Sequence, residues 1–138
     1  MSKVSKIELI AVADSRGLLT AAQYPENLPF IPVRVFTVTE SPAGTDRGGH
    51  AHRFCHQVLI ATAGTVVVEF DDDDGTASVT LSDASQCLHI PPLVWAKQSY
   101  ATEGASLVVL ASHTYDADDY VDDRETARGL RESSIPPR

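Results

Sequence analysis

The sequence predicts an all-β fold, an antiparallel sandwich or barrel, with a short C-terminal segment that is helical or irregular. Three observations favour this fold class. The chain contains eight to ten short runs rich in β-branched and apolar residues, turn residues separate the runs at a spacing of about 8–12 residues, and helical periodicity is almost absent. A chain of 138 residues is long enough for one hydrophobic core and short for two.

Each predicted strand is an apolar or alternating run bounded by Gly, Pro, Asp or Ser. The first run alternates around residues 7–11, and another opens at His50, after the loop 41–44. The remaining runs cover residues 18–22, 33–39, 57–63, 65–70, 77–81, 86–90, 94–100 and 105–112. Gly64, between two of these runs, indicates a hairpin.

Two polar segments lack a strand pattern. Residues 71–75 are four aspartates and a glycine, which predict a solvated hairpin turn because the 12-residue, helix-flanked calcium pattern is absent. Residues 115–131 are charged and can form a short helix. We therefore expect residues 1–131 to form a single domain and residues 132–138 to form a flexible tail.

The composition excludes several classes of partner. A net charge of −8 argues against nucleic acid, because a phosphate backbone requires a basic protein surface. No apolar run approaches the roughly 18 residues of a membrane span, and the N-terminus lacks a signal-peptide pattern, so we expect a cytoplasmic protein. Cys55 and Cys87 are expected to be buried and reduced. A small anionic ligand is not excluded, since two or three arginines suffice for a diphosphate.

The clearest chemical signal is the pair His50 and His52. Residues two apart project from the same face of a strand, so both imidazoles are expected to enter one space. Gly44, Gln57 and Gly64 flank the pair at a spacing that resembles the first cupin motif. Residues 91–95 represent the second cupin motif weakly.

The pair does not predict a metal centre. A stable iron, manganese or zinc site usually needs three or more protein ligands. Gln57 stands where the first motif has glutamate, and Ala96 stands where the second motif has histidine. His56 would be a third ligand only if the strand ran on without a bulge. Neutral imidazoles, with a reference pKa of about 6.5, suit general acid–base catalysis, so we expect no metal and no cofactor.

Longer stretches of the chain resemble the dTDP-sugar 3,4-ketoisomerases. The resemblance covers residues 7–121 and rests on residues 14–17, 29–30, 34–35, 47–52, 57–59, 64, 74–75, 90–95, 109–112, 115–116 and 119–120. It implies a cupin-type jelly-roll barrel and a homodimer that exchanges N-terminal strands. It also implies a dTDP-4-keto-6-deoxyhexose substrate, whose carbonyl moves from C4 to C3 through an enediol.

The resemblance also implies roles for individual side chains. His52 would be the base, and His50 would polarise the carbonyl or share the proton shuttle. The expected substrate-binding residues are Arg16 and Arg34 for the diphosphate, Arg47 to orient the reacting site, and Gln57 and Trp95 in the pocket. Trp95 is equally suited to the hydrophobic core. His89 and His113 are expected to be structural.

Two residues depart from the family pattern. Phe36 stands where the family usually carries tyrosine, and Ala96 stands where it usually carries histidine. These departures leave the proton donor unassigned, with Tyr24 and Tyr100 as candidates.

Two alternative functions stay open. A dTDP-sugar epimerase would use similar acid–base machinery, but it usually needs a His–Asp pair with a tyrosine, and no aspartate partner is evident in the sequence. A carbohydrate-binding cupin without turnover is the non-enzymatic alternative. The configuration of the product at C4 depends on pocket geometry and is not predicted.

Overall fold

Short extended segments make up most of the computed structural model, which describes residues 2–133. The strands are β1 (Ser5–Glu8), β2 (Ile10–Asp14), β3 (Gly17–Ala21), β4 (Arg34–Ser41), β5 (Thr45–His52), β6 (Gln57–Ala63), β7 (Val66–Asp72), β8 (Gly75–Leu81), β9 (Gln86–Ile90), β10 (Trp95–Tyr100), β11 (Ala105–Ala111) and β12 (Tyr120–Val121). A 3-10 turn at Ala117–Asp119 precedes β12, and one α-helix, α1, covers Arg124–Ser133.

Ten of these strands form two antiparallel sheets. The first sheet has the order β1-β9-β6-β11-β4, and the second has the order β12-β5-β10-β7-β8. The inner faces pack against each other because alternate residues of each strand are apolar and point inward. This inner core includes Leu59, Val68, Phe70, Leu88, Ile90, Ala96, Tyr100, Leu107 and Val109. Burying each large apolar side chain contributes about 1.5–3 kcal/mol.

Each sheet is also covered on its outer face. The segment between β3 and β4 places Leu28 and Phe30 against Val58 and Cys87 of the first sheet. Helix α1 places Ala127 against the outer face of the second sheet. Both cysteines are buried and free.

Buried ion pairs hold α1 against the sheet. Asp71, which is 1% exposed, accepts from Arg128 at 3.0 Å and lies 3.5 Å from Arg131. Arg131 also donates to the backbone carbonyl of Leu93 at 2.8 Å. The expectation of a solvated acidic turn was therefore wrong for Asp71 and Asp72, which are buried residues of β7.

The β2–β3 hairpin forms a separate two-stranded sheet. Its turn uses Gly17 with a φ of +123°, a conformation that favours glycine. Four apolar side chains of the hairpin are about half exposed or more, namely Ile10, Val12, Leu18 and Leu19. The hairpin thus presents an unusual amount of apolar surface to solvent.

The structure confirms the predicted all-β fold with a short C-terminal helix. It differs from the predicted element boundaries at two places. His50 does not open a strand, because β5 begins at Thr45 and ends at His52. Residues 132 and 133 of the predicted tail belong to α1, and residues 134–138 lie outside the described part of the chain. No helix among residues 2–133 is long and apolar enough to cross a membrane.

Candidate active site

The end of β5 places both histidines on the inner face of the second sheet. His50 lies directly opposite Ala96 of β10, which belongs to the inner core. Ala51 faces the other way and packs beneath α1. The ring centroids of His50 and His52 lie 5.2 Å apart in an edge-on arrangement. The period-two prediction that both imidazoles share one space is therefore confirmed.

A carboxylate orients His52. Its Nδ1 lies 2.9 Å from Oδ2 of Asp119, and the backbone N–H of Phe54 donates to Oδ1 of Asp119 at 2.7 Å. The other ring nitrogen of His52, Nε2, is buried and has no hydrogen-bond partner among residues 2–133. An Nδ1–H that donates to Asp119 leaves Nε2 as a free lone pair directed into the site.

The electrostatic environment keeps both imidazoles neutral. Burial lowers the pKa of His50, and the neighbouring His52 lowers it further. Burial also lowers the pKa of His52 by more than the hydrogen bond to Asp119 raises it. Burial alone would raise the pKa of Asp119, but the N–H of Phe54 and the bond from His52 outweigh it and hold that pKa low. The result is a charged Asp119 beside two neutral bases.

Two tyrosines complete this side of the site. Tyr120 pairs with His52 across β12 and β5, and its ring centroid lies 4.5 Å from that of His52 and 4.7 Å from that of His50. Tyr115 is 66% exposed, and its ring centroid lies 5.8 Å from that of Tyr120. Neither tyrosine has a role that was expected from the sequence.

Arg34 and Gln57 face the same interior from the first sheet. Both residues lie opposite Ala111 of β11, and Gln57 also lies opposite Ile90, which is part of the inner core. The Nε of Arg34 is buried without a hydrogen-bond partner among residues 2–133. The charge of Arg34 lowers the pKa of His52, which places a cation beside the histidine pair.

A bulge turns Arg47 toward the same face. Arg47 lies opposite Gln98 and His50 lies opposite Ala96, with a register shift between these pairs. Residues 96 and 98 share one face of β10, so Arg47 and His50 share a face although three positions separate them. Gly48 borders the shift with a φ of +85°, and a Cβ there would lie 3.1 Å from the Ala96 carbonyl oxygen.

Two of the expected substrate-binding residues lie elsewhere. Trp95 faces away from the histidines, because it neighbours the inward Ala96, and it packs near α1 with Arg124 4.0 Å from its ring centroid. The expectation that Trp95 lines the pocket was therefore wrong. Arg16 lies at the tip of the β2–β3 hairpin, where its guanidinium is 88% exposed and bonds to Asp14 at 2.7 Å. Within the single chain, Arg16 does not join the histidine pair.

The remaining histidines form a separate group. His56 stacks on His89, with Nδ1 of His56 3.0 Å from Nε2 of His89 and the ring of Phe30 beside both. His89 lies opposite Val58 on the outer face of the first sheet. His56 therefore does not extend the His50–His52 pair.

The donors present do not fit the metal centre usual for cupins. Ala96 offers a methyl group opposite His50, and Gln57 offers a neutral amide, so two good ligands remain. Among residues 2–133, one group of three candidate ligands has its donor atoms within 4.8 Å of one another: His52, Cys55 and Asp119. In this group the carboxylate already accepts hydrogen bonds from His52 and a backbone N–H, an arrangement that orients a base.

Sequence reasoning missed Asp119 and Tyr120. No aspartate partner was evident in the sequence, because 67 positions separate His52 from Asp119 and only the fold brings them into contact. The only sequence signal for these two residues was their part in the family resemblance, since no spacing rule relates residues 119–120 to the histidines.

Comparison with known proteins identifies the family. A profile of the FdtA family, described as WxcM-like, C-terminal, matches residues 2–130. A TDP-4-oxo-6-deoxy-alpha-D-glucose-3,4-oxoisomerase from Aneurinibacillus thermoaerophilus is 34% identical over 110 residues, which cover 80% of this chain and 79% of that protein. A crystal structure of a His-to-Asn variant of the 3,4-ketoisomerase QdtA from Thermoanaerobacterium thermosaccharolyticum, in complex with TDP-4-keto-6-deoxyglucose, is 33% identical. It has a TM-score of 0.88 and covers 97% of both chains.

Epimerases share the fold at lower similarity. NovW, a 4-keto-6-deoxy sugar epimerase from Streptomyces spheroides, is 19% identical with a TM-score of 0.74, covering 85% of this chain and 67% of that chain. That likeness shows the fold alone, whereas the profile match spans nearly the whole domain. The chain therefore belongs to the FdtA family, the family of the dTDP-sugar 3,4-ketoisomerases.

Proposed function

We propose that the protein moves the carbonyl of a dTDP-4-keto-6-deoxyhexose from C4 to C3 by acid–base catalysis. The observation that carries this proposal is the buried, unpaired Nε2 of His52, held in place by the bond from Nδ1 to Asp119. Such a nitrogen can remove the proton from C3, next to the ketone, and return a proton to C4. Asp119 stabilises the imidazolium that forms between these two steps.

His50 fits the role of a second proton carrier. It is neutral at pH 7 because burial and His52 lower its pKa, and its ring lies beside that of His52. The charge of Asp122 and the Gly48 carbonyl act in the opposite direction on that pKa. A neutral imidazole has one N–H and one nitrogen that can accept a proton. We therefore favour sharing of the proton shuttle over polarisation of the carbonyl by His50.

The cations on the inner face support binding of an anionic substrate. Arg34 lies beside the histidine pair, and Arg47 faces the same interior from β5. We propose that Arg34 binds the diphosphate, that Arg47 orients the reacting end of the substrate, and that Gln57 bonds to the sugar. Charge-assisted bonds from guanidinium groups suit a diphosphate better than bonds from neutral donors.

Replacing Arg34 by alanine should weaken dTDP binding about 10- to 100-fold, since a hydrogen bond to a charged group contributes roughly 1.5–3 kcal/mol. Isothermal titration calorimetry with dTDP measures this change. Lys6→Ala removes the same charge from an exposed position of β1 and is expected to leave the affinity unchanged. Equal affinity of Arg34→Ala and wild type would remove Arg34 from the ligand site.

We propose that the molecule is a homodimer in which β2–β3 hairpins are exchanged. The apolar side chains of this hairpin are exposed in the single chain. Ile31 and Val33, just before β4, and Val35, within this edge strand of the first sheet, are exposed as well. Mutual burial of two such surfaces is favourable. The exchange would let the hairpin tip, with Arg16, reach the pocket of the partner.

Analytical ultracentrifugation tests the dimer. The double variant Leu18→Asp, Leu19→Asp should sediment as a monomer, because it buries two charges in the proposed interface. The control variant Ser78→Asp, Thr80→Asp adds the same charges to exposed positions of β8 and should remain a dimer. A monomeric wild type, or a dimeric hairpin variant, would contradict the exchange.

We also propose that the protein acts in the cytoplasm as a single domain. Two free, buried thiols fit a reducing compartment. The packing of α1 across the second sheet supports one cooperative unit that extends at least to Ser133.

Epimerisation is the second candidate function. The structure contains the His–Asp pair and the neighbouring tyrosine that this reaction usually needs. This geometry supports epimerisation more strongly than the sequence alone does. The two reactions share proton abstraction next to the ketone and differ in where the proton returns. The family of the chain favours ketoisomerisation.

Proton NMR of dTDP-4-keto-6-deoxyglucose with chelator-treated protein in deuterium oxide separates the candidates. A 3-keto product with deuterium at C4 is the expected result, and the coupling at C4 gives the product configuration. Deuterium at C3 or C5, with the ketone still at C4, would indicate an epimerase. Binding without exchange would indicate a binding protein that lacks turnover.

A further inference from the structure

The reaction needs a proton donor beside its base. His52 commits its N–H to Asp119, so its unpaired Nε2 accepts a proton from carbon and does not donate to the ketone oxygen. The ketone oxygen gains negative charge as the C3 proton leaves, and a neutral donor aimed at that oxygen would stabilise it.

The other three tyrosines are placed less well for this role. The hydroxyl of Tyr100 is buried without a hydrogen-bond partner among residues 2–133, but Tyr100 lies opposite Thr45, at the other end of β5 from His50 and His52. Tyr24 is half exposed and lies on the segment that covers the outer face of the first sheet. Tyr115 is largely exposed and lies against the Arg34 side chain. Phe36, on the inner face of β4, has no hydroxyl.

Tyr120 remains, and the fold holds it beside both histidines. Tyr120 lies opposite His52, and Val121 lies opposite Ala51. Because Val121 and Ala51 are buried together beneath α1, the ring of Tyr120 is on the opposite, inner face. Its centroid lies less than 5 Å from both imidazole centroids, and its hydroxyl bonds to no side chain among residues 2–133.

We propose that Tyr120 is a catalytic residue that passes a proton between the two oxygens of the sugar. The inference rests on the proposed ketoisomerase function and names the donor for that reaction.

The proton and electron balance is complete without a co-reactant. Nε2 of His52 takes the C3 proton, and the C–H electron pair forms the C3–C4 double bond. The π pair of the C4 carbonyl moves to O4, which takes the phenol proton of Tyr120. The phenolate then recovers the O3 proton as the C3 carbonyl forms, and the π pair of the enediol takes a proton at C4 from the histidine pair. Each side chain ends in its starting protonation state.

The test compares Tyr120→Phe with the matched variant Tyr24→Phe, which removes a half-exposed hydroxyl away from the histidine pair. Phenylalanine at position 120 keeps the ring contacts with both histidines and removes only the hydroxyl. We expect kcat for formation of the 3-keto sugar to fall about 100-fold or more, with the affinity for dTDP within threefold of wild type. Tyr24→Phe should stay within threefold of wild type in both measurements.

A second variant tests whether the phenol itself matters. The double variant Tyr120→Phe, Phe36→Tyr returns a hydroxyl to the same interior from β4 and should recover at least tenfold in kcat over Tyr120→Phe. A kcat of Tyr120→Phe within threefold of wild type would overturn the proposal, and so would a parallel loss of dTDP affinity, which indicates a structural role. Wild-type protein that forms no 3-keto sugar in the same assay would overturn the ketoisomerase function and the role of Tyr120 together.

Discussion

Replacing His52 by alanine should lower kcat for ketoisomerisation by about 10⁴-fold, the upper end of what a general base contributes. The variant loses the only ring nitrogen in residues 2–133 that is buried, unpaired and oriented by a carboxylate. Its affinity for dTDP should stay within several-fold of wild type, because the proposed diphosphate ligand Arg34 is unchanged. Steady-state kinetics and calorimetry with dTDP separate the two effects.

The matched control is His113→Ala, since His113 is exposed and bonds only to Ser112 among the described side chains. This variant should keep wild-type kcat. A kcat of His52→Ala close to that of wild type would remove His52 from the role of base. A comparable loss in both variants would point to a change in folding, which circular dichroism detects.

Replacing Asp119 by asparagine should lower kcat roughly 10³-fold. The two oxygens of Asp119 accept from Nδ1–H of His52 and from the N–H of Phe54, whereas an amide presents an NH₂ group to one of these donors. Either His52 adopts the tautomer that protonates Nε2, or the backbone bond is lost. Asp118→Asn, at an exposed neighbouring position, is expected to have no effect on kcat.

The pH profile provides an independent measurement of the same interaction. His52 acts as a base only when neutral, and its pKa lies below the ordinary value of 6.5, so the acid limb of the wild-type profile should fall below pH 6.5. Asp119 raises the pKa of His52, so Asp119→Asn should move this limb to still lower pH. An unchanged limb would show that Asp119 does not act through His52.

The residues that sequence reasoning placed well are those related by short-range geometry. His50 and His52 share a face because a strand has a period of two, and both line the interior. Arg34 and Gln57 were assigned through resemblance, and the register of three strands brings them to that interior. Trp95 was assigned wrongly, because its neighbour Ala96 occupies the inward position of β10.

Other features of the site depend on irregular or distant parts of the chain. Arg47 shares a face with His50 because of a bulge at two adjacent glycines with positive φ. Strict alternation along β5 would place these two residues on opposite faces. Arg16 lies away from the histidine pair because the β2–β3 hairpin forms a sheet of its own, with Arg16 at its tip.

The sequence by itself determined the all-β class, the strand pattern and the shared direction of the two histidines, because alternation and turn residues act over a few neighbouring positions. Only the tertiary structure decided which groups orient those histidines and stand beside them. The Asp119 carboxylate and the Tyr120 phenol reach His52 through the pairing of β12 with β5. That pairing joins segments nearly 70 residues apart, and it depends on packing beneath α1 that no local pattern encodes.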